Sequence, residues 1–218
     1  MNTADILVKY ANLLSEAPKI ALKENTSLFK ARSCVTEDET AEIEKDPSNK
    51  LLAKPSPAED DGRFHSKGEY ALYLSSCSET ARAEVKKENT RWVIIGKFST
   101  CRCKDVFSLL PEDYNLSFFP PDNPVHQLSL FLNRIAHEKN NYSETKKFVD
   151  VLKRNGSISD SEKEVFIIRY QSVKNPPGKN YFMCGAIENS KLLGLEKARP
   201  RTDFGLLQFV GHKKISIP

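Results

Sequence analysis

Three side chains within one short passage, Arg63, Tyr73 and Glu84 in GRFHSKGEYALYLSSCSETARAE (residues 62–84), have types that together suit a dinucleotide. A guanidinium is always charged and grips a phosphate or pyrophosphate through a planar fork that lysine lacks. A tyrosine offers a flat face for a nicotinamide or adenine ring and a hydroxyl for a ribose. A carboxylate near the anomeric carbon stabilises the oxocarbenium-like transition state formed when a glycosidic bond breaks. The three together describe cleavage of a nicotinamide–ribose bond. Singly, each has a plainer explanation: a turn arginine in a surface ion pair worth little, a tyrosine in an aromatic core strand, a glutamate on a solvated helix face. Their order and spacing carry the case.

The elements around them must bring them to one cleft. Arg63 lies in a glycine-flanked turn, EYALYLSS (69–76) is predicted as a strand with Tyr73 near its end, and SETARAEVKKE (78–88) as a helix bearing Glu84. Ser78 is the expected N-cap, although Ala81 stands where a capping-box acid would be. Upstream, SLFKARS (27–33) alternates like a first strand, with Arg32 near its rim, and the acidic stretch Thr36 to Asp61, with Pro47, Pro55 and Pro57, is expected to be a long loop. Ahead of it, Ile6, Leu7, Tyr10, Leu13, Leu14, Ile20 and Leu22 form a helical stripe that Pro18 interrupts, a helix for packing or partner binding.

Downstream, RWVIIGKFS (91–99) and EVFIIRYQS (164–172) are the clearest strands, with a short element over Val106 to Leu110 and a final strand in FGLLQFVG (204–211). Pro124 to Ala136 and Phe148 to Leu152 have helical spacing, NPPGKN (175–180) is a turn, and Tyr181 to Leu193 is expected to be helical or mixed. Strands and helices alternate without a regular βαβ rhythm, so the expected class is α+β. The expected organisation is a helical segment over 1–26 followed by one catalytic domain over 27–218.

Composition excludes several functions. With 33 Lys and Arg against 29 Asp and Glu, the net charge of +4 is too mild to imply direct nucleic-acid binding. No apolar run approaches the roughly 18 residues that would span a bilayer, and the N-terminus lacks a basic start followed by an apolar block, so no membrane association or secretion signal is expected. The cysteines, five in number (Cys34, Cys77, Cys101, Cys103, Cys184), follow no disulfide framework and point to reduced thiols in the cytoplasm. Cys101 and Cys103 could open a metal site, but no second close pair and only scattered histidines (His65, His126, His137, His212) accompany them, so no metal is expected.

The same residues resemble the core motif of the RES domain family, named for its arginine, glutamate and serine. Gly62-Arg63-Phe64-His65 is similar to its GR-[FM]-N turn, Leu72 to Ser75 to its L-Y-[LT]-[AS] strand, and Thr80 to Glu84 to its T-A-x-A-E helix. LFKAR, Leu28 to Arg32, resembles the family's opening strand, and AKPSPAEDDGR its approach to the turn. The resemblance implies a fold like that of ADP-ribosyltransferase toxins and a bacterial toxin that degrades NAD⁺ as a glycohydrolase or phosphorylase. Protein ADP-ribosyl transfer is the alternative. It implies that Arg32 and Arg63 hold the NAD⁺ phosphates, Tyr73 faces nicotinamide and Glu84 the ribose, with NAD⁺ as substrate and no other cofactor. Expected partners are an Xre-like antitoxin that covers the site and a second copy of the chain in a homodimer. GLEKARPRTDFGLLQF, from Gly194 to Phe209, fits the outline of the family's C-terminal part, but with Arg199 where its serine is expected; His65 likewise stands where the family often has asparagine. Three alternatives follow: Thr202 supplies the hydroxyl from a shifted register, Arg199 or Arg201 binds phosphate instead, or the chain is an NAD⁺-binding module without efficient turnover.

Overall fold

A computed structural model of the chain describes residues 20–52, 62–67, 71–113, 142, 145–147, 149–150, 166–184 and 206–217. Its centre is a mixed sheet of eight strands: β1 (Ile20–Leu22), β2 (Ser27–Cys34), β3 (Ala71–Ser75), β4 (Trp92–Thr100), β5 (Lys104–Ser108), β6 (Phe166–Gln171), β7 (Lys179–Cys184) and β8 (Leu207–Ser216). They lie in the order β1-β5-β6-β7-β3-β2-β4-β8. Among the described residues only the β5–β6 pair is parallel. The helices α1 (Glu37–Lys45), α2 (Pro47–Leu51) and α3 (Ser78–Val85) accompany the sheet, so the fold is α+β.

β4 is the spine. Val93, Ile94, Ile95 and Gly96 are buried in unbroken succession because both faces of the strand are covered. Ile94 and Phe98 face the larger core, with Leu28, Leu72, Leu74, Ile167 and Met183 of the sheet and Ile43, Leu51 and Leu52 from α1, α2 and the residue after them. Val93 and Ile95 face the opposite side, against Ala31, Ala81 and Val85. This second face carries the candidate site, and α3 is the helix that covers it.

Several elements differ from the sequence expectation. Thr36 to Leu52 is not a loop: Thr36 caps α1 in a reciprocal box with Glu39, and Asp46 caps α2, whose first residue is Pro47. Thr36-x-x-Glu39 is itself the capping signature, and a proline suits the first helical position because its missing N–H has no partner there. The N-cap of α3 is Cys77 rather than Ser78, with no side-chain capping bond. Ile20 to Leu22, assigned to the end of a helical stripe, is a strand paired with β5. Tyr181 to Cys184, expected as helical or mixed, belongs to β7. Tyr181 and Met183 face the larger core, and Phe182 is fully buried on the other side, so burial on both faces erases the alternation that marks a half-exposed strand. Residues 4–19, Pro124 to Ala136 and Leu193 lie outside the described residues; Thr145–Lys147 and Val149–Asp150 are helical.

The turn between β6 and β7 seats α3. Asn175 Nδ2 donates to Thr80 Oγ1 at 2.9 Å, and Thr80 is fully buried. A Cβ on Gly178 would lie 1.9 Å from that hydroxyl and 2.8 Å from the Asn175 carbonyl. Neither a buried threonine nor a backbone carbonyl can step aside. Gly178→Ala is therefore expected to destabilise the protein by roughly 1–3 kcal/mol and to shift α3, read as a lower urea midpoint together with weaker activity.

Candidate active site

β2 and β3 share a single residue pair, Phe29 with Ser75, whereas β2 follows β4 over its whole length. Beyond that pair the strands fork. The wedge between them opens a cavity of about 250 Å³, lined by Phe29, Lys30 and Ala31 of β2, Tyr73 to Ser75 of β3, Ala81, Glu84 and Val85 of α3, Gly62 and Arg63 of the turn, and Tyr142, Tyr170 and Asn180. Arg63, Tyr73 and Glu84 are thus brought to one cavity.

The turn bearing Arg63 is held by packing rather than by regular structure. Phe64 is 1 % exposed, and burying such a ring stabilises by roughly 2–3 kcal/mol. It packs edge-on against Tyr170 at 5.0 Å and against Phe182 at 5.5 Å. The Gly62 N–H closes the turn on the His65 carbonyl at 3.0 Å. The Tyr73 hydroxyl accepts from the Phe64 N–H at 3.2 Å and lies 2.8 Å from His65 Nδ1. The Thr145 hydroxyl donates to the Arg63 carbonyl. Tyr73 therefore both lines the cavity and ties down the turn of Arg63, and His65, where the family often has asparagine, bonds the same hydroxyl. Arg63 lies with its guanidinium 5.2 Å from the Tyr170 ring centre. Burial pushes the Tyr170 phenol well above its ordinary pKa, against the pull of Arg63, so it remains a hydroxyl at neutral pH.

Glu84 is held through one oxygen. Its Oε1 accepts from Ser172 Oγ at 2.8 Å and from Asn180 Nδ2 at 2.7 Å. Ser172 in turn accepts from the Asn175 N–H at 3.0 Å, leaving its own proton for Glu84. Ser172, immediately after β6, is a site residue that sequence reasoning missed. It is separated from Glu84 by 88 positions, so no local spacing links them; its place at the end of the strand EVFIIRYQS is the available signal.

Arg32 does not line the cavity. Alternation along β2 puts it with Leu28 and Cys34 on the larger-core face, where burial pushes its pKa down and Cys34 and Glu42 oppose the shift. Arg199, Arg201 and Thr202 lie outside the described residues. Lys30, which the sequence did not single out, borders the cavity by its place in β2, but alternation sets its side chain on the same face as Arg32. Burial, with Arg32 adding repulsion, pushes its pKa down to about 8 from the ordinary 10.5. Between these values the unfolded chain holds the proton that the folded chain has released, so stability rises with pH through this window. The cost of keeping Lys30 charged is fully present below pH 8 and amounts to about 3 kcal/mol at most. Urea unfolding at pH 7.5 and 9.5 is expected to show the rise, and Lys30→Met to flatten it.

Among the described residues no group of three or more His, Cys, Asp or Glu side chains is placed to hold a metal ion, and no helix is long and apolar enough to cross a membrane. Cys101 and Cys103 are exposed free thiols.

The cavity at the strand fork thus sets an arginine on a pinned turn and a glutamate on the helix behind it among largely apolar walls. The chain belongs to the RES domain family, whose model matches residues 40–194. The match takes in the Arg63 turn, β3, α3, β6 and β7, and leaves β2 and β8 outside it. No curated protein and no solved structure matches the chain.

Proposed function

We propose that this RES domain degrades NAD⁺ by breaking the bond between nicotinamide and ribose. The observation that carries the proposal is the cavity that Arg63, Tyr73 and Glu84 share, in which Oε1 of Glu84 is tethered to Ser172 and Asn180. Arg63 binds the pyrophosphate, Tyr73 flanks the nicotinamide and Glu84 faces the ribose. As the C1′–N bond breaks, its electron pair leaves with neutral nicotinamide and positive charge grows on the ribose, where the carboxylate stabilises it. An oxygen of water or inorganic phosphate then bonds to C1′ from the open side and releases a proton. At about 250 Å³ the cavity is at the small end of ligand sites, which run from roughly 300 Å³ upward. It suits the nicotinamide–ribose end of the dinucleotide rather than the whole molecule.

The serine sought near Arg199 has a counterpart in Ser172, which supports turnover over mere binding. The partner we propose is an Xre-like antitoxin that closes the cavity. Incubation of the purified protein with NAD⁺ labelled in the adenylate half tests the reaction. Release of nicotinamide with label in ADP-ribose or its 1″-phosphate is the expected result, label on protein would assign transferase activity instead, and no nicotinamide release would overturn the proposal.

A further inference from the structure

Ser75 and Asn180 face each other across the β3–β7 ladder, at the point where β2 leaves β3. Both are buried, at 4 % and 3 % exposure. Ser75 Oγ donates to Asn180 Oδ1 at 2.7 Å, and Asn180 Nδ2 donates to Glu84 Oε1 at 2.7 Å. The direction of this relay follows from charge. A reversed amide would aim its carbonyl oxygen at a carboxylate that can only accept, so Glu84 selects the orientation of Asn180, and the Ser75 hydroxyl, free to rotate, completes it by donating to Oδ1. Each bond polarises the next, and a buried chain of this kind loses more than one bond when a link is removed.

The relay decides which oxygen of Glu84 is available. Ser172 and Asn180 occupy Oε1, a carboxylate oxygen with about two acceptor directions. Among the described residues no hydrogen bond reaches Oε2. We propose that Asn180 is the positioning residue of the site: anchored by Ser75, it clamps Oε1 so that Oε2 is the oxygen presented to the ribose. The inference rests on the role given to Glu84 above, but the position of the clamp can be tested without it.

Asn180→Leu keeps the branched heavy-atom shape of the side chain and removes the donor. It is expected to lower kcat for nicotinamide release about 10- to 100-fold while KM stays within about 3-fold, because the clamp acts on the transition state rather than on NAD⁺ binding. In its crystal structure Glu84 is expected to leave the position it holds in wild type. Ser75→Ala, which frees the amide to rotate, should give a smaller loss of the same kind. Asn180→Asp supplies the sharper test. At neutral pH it sets a second carboxylate against Glu84, and on acidification the two share a proton that restores the missing donor. Its activity relative to wild type is expected to rise about 10-fold from pH 7.5 to 5. The other titratable or charged residues that border the cavity, Lys30 of β2, Arg63 of the turn, Tyr73 of β3, Tyr142, and Tyr170 of β6, are common to both proteins. The ratio therefore reports on position 180.

A constant ratio across pH, or Asn180→Leu with wild-type kcat and an unmoved Glu84, would overturn the inference. Should the wild type release no nicotinamide, the proposed reaction fails, and the crystallographic comparison alone still decides whether Asn180 positions Glu84.

Discussion

Glu84→Gln is expected to fold normally and to release nicotinamide about 10²- to 10³-fold more slowly than wild type, with KM for NAD⁺ changed by less than about 3-fold. The glutamine amide is nearly isosteric. Its carbonyl oxygen can take the place of Oε1 and accept from Ser172 and Asn180, whose protons already point there. Its NH₂ group then replaces Oε2. A negative oxygen facing a growing positive charge becomes a neutral donor, so what is lost is the interaction made in the transition state. Removing one preorganised electrostatic contact of this type costs roughly 3–4 kcal/mol in the barrier, and that figure sets the expected fold-change. The split between kcat and KM separates this outcome from simple damage to the pocket, which would raise KM as well. Thermal unfolding alongside the kinetics guards against misfolding. Release at the wild-type rate by Glu84→Gln would remove Glu84 from the mechanism.

The contrast between what was legible in the chain and what was not follows separation along the sequence. Arg63, Tyr73 and Glu84 fall within 22 positions, and a turn, a strand and a helix with local signatures carry them to one cavity. The strands around Val93 to Ile95 and Ile167 to Ile168 announce themselves as apolar runs. Ser172 and Asn180 were invisible because their contact with Glu84 spans 88 and 96 positions and exists only once β7 pairs with β3. The location of the cavity was hidden for the same reason: the fork arises because β2 keeps β4 along one edge over its whole length and meets β3 along the other at a single pair, a pairing that no local pattern encodes. Arg32 shows the converse difficulty. Its type and its place in LFKAR resembled the family strand, but which face of β2 it occupies depends on how the sheet is covered, and α1 and α2 cover that side. Those two helices are hard to read locally because prolines and acidic residues mark loops and helix starts alike, and Thr36, Glu39, Asp46 and Pro47 sit at helix starts, where such residues are favoured.

Arg63→Lys is expected to raise KM for NAD⁺ about 10- to 100-fold with a smaller fall in kcat, although the charge is retained. Arg63 is carried by a turn whose geometry is fixed before any ligand arrives, through the buried Phe64 ring, the Tyr73 hydroxyl and Thr145, so little ordering remains to be done on binding. Its guanidinium lies over the Tyr170 ring at 5.2 Å, an arrangement that favours a flat, weakly hydrated cation. Lysine offers a compact, strongly hydrated charge on a flexible stem and cannot make two parallel bonds to a pyrophosphate. The loss of one charge-assisted bond and of the stacking corresponds to about 1.5–3 kcal/mol, which spans the stated range. Because the pyrophosphate is held alike before and during bond cleavage, the effect falls on KM. Calorimetry with ADP-ribose provides the independent check: its affinity should weaken by the same factor, since it retains the pyrophosphate and lacks nicotinamide. If Arg63→Lys binds ADP-ribose as tightly as wild type, the pyrophosphate is held elsewhere, and the role of Arg63 is confined to its packing against Tyr170.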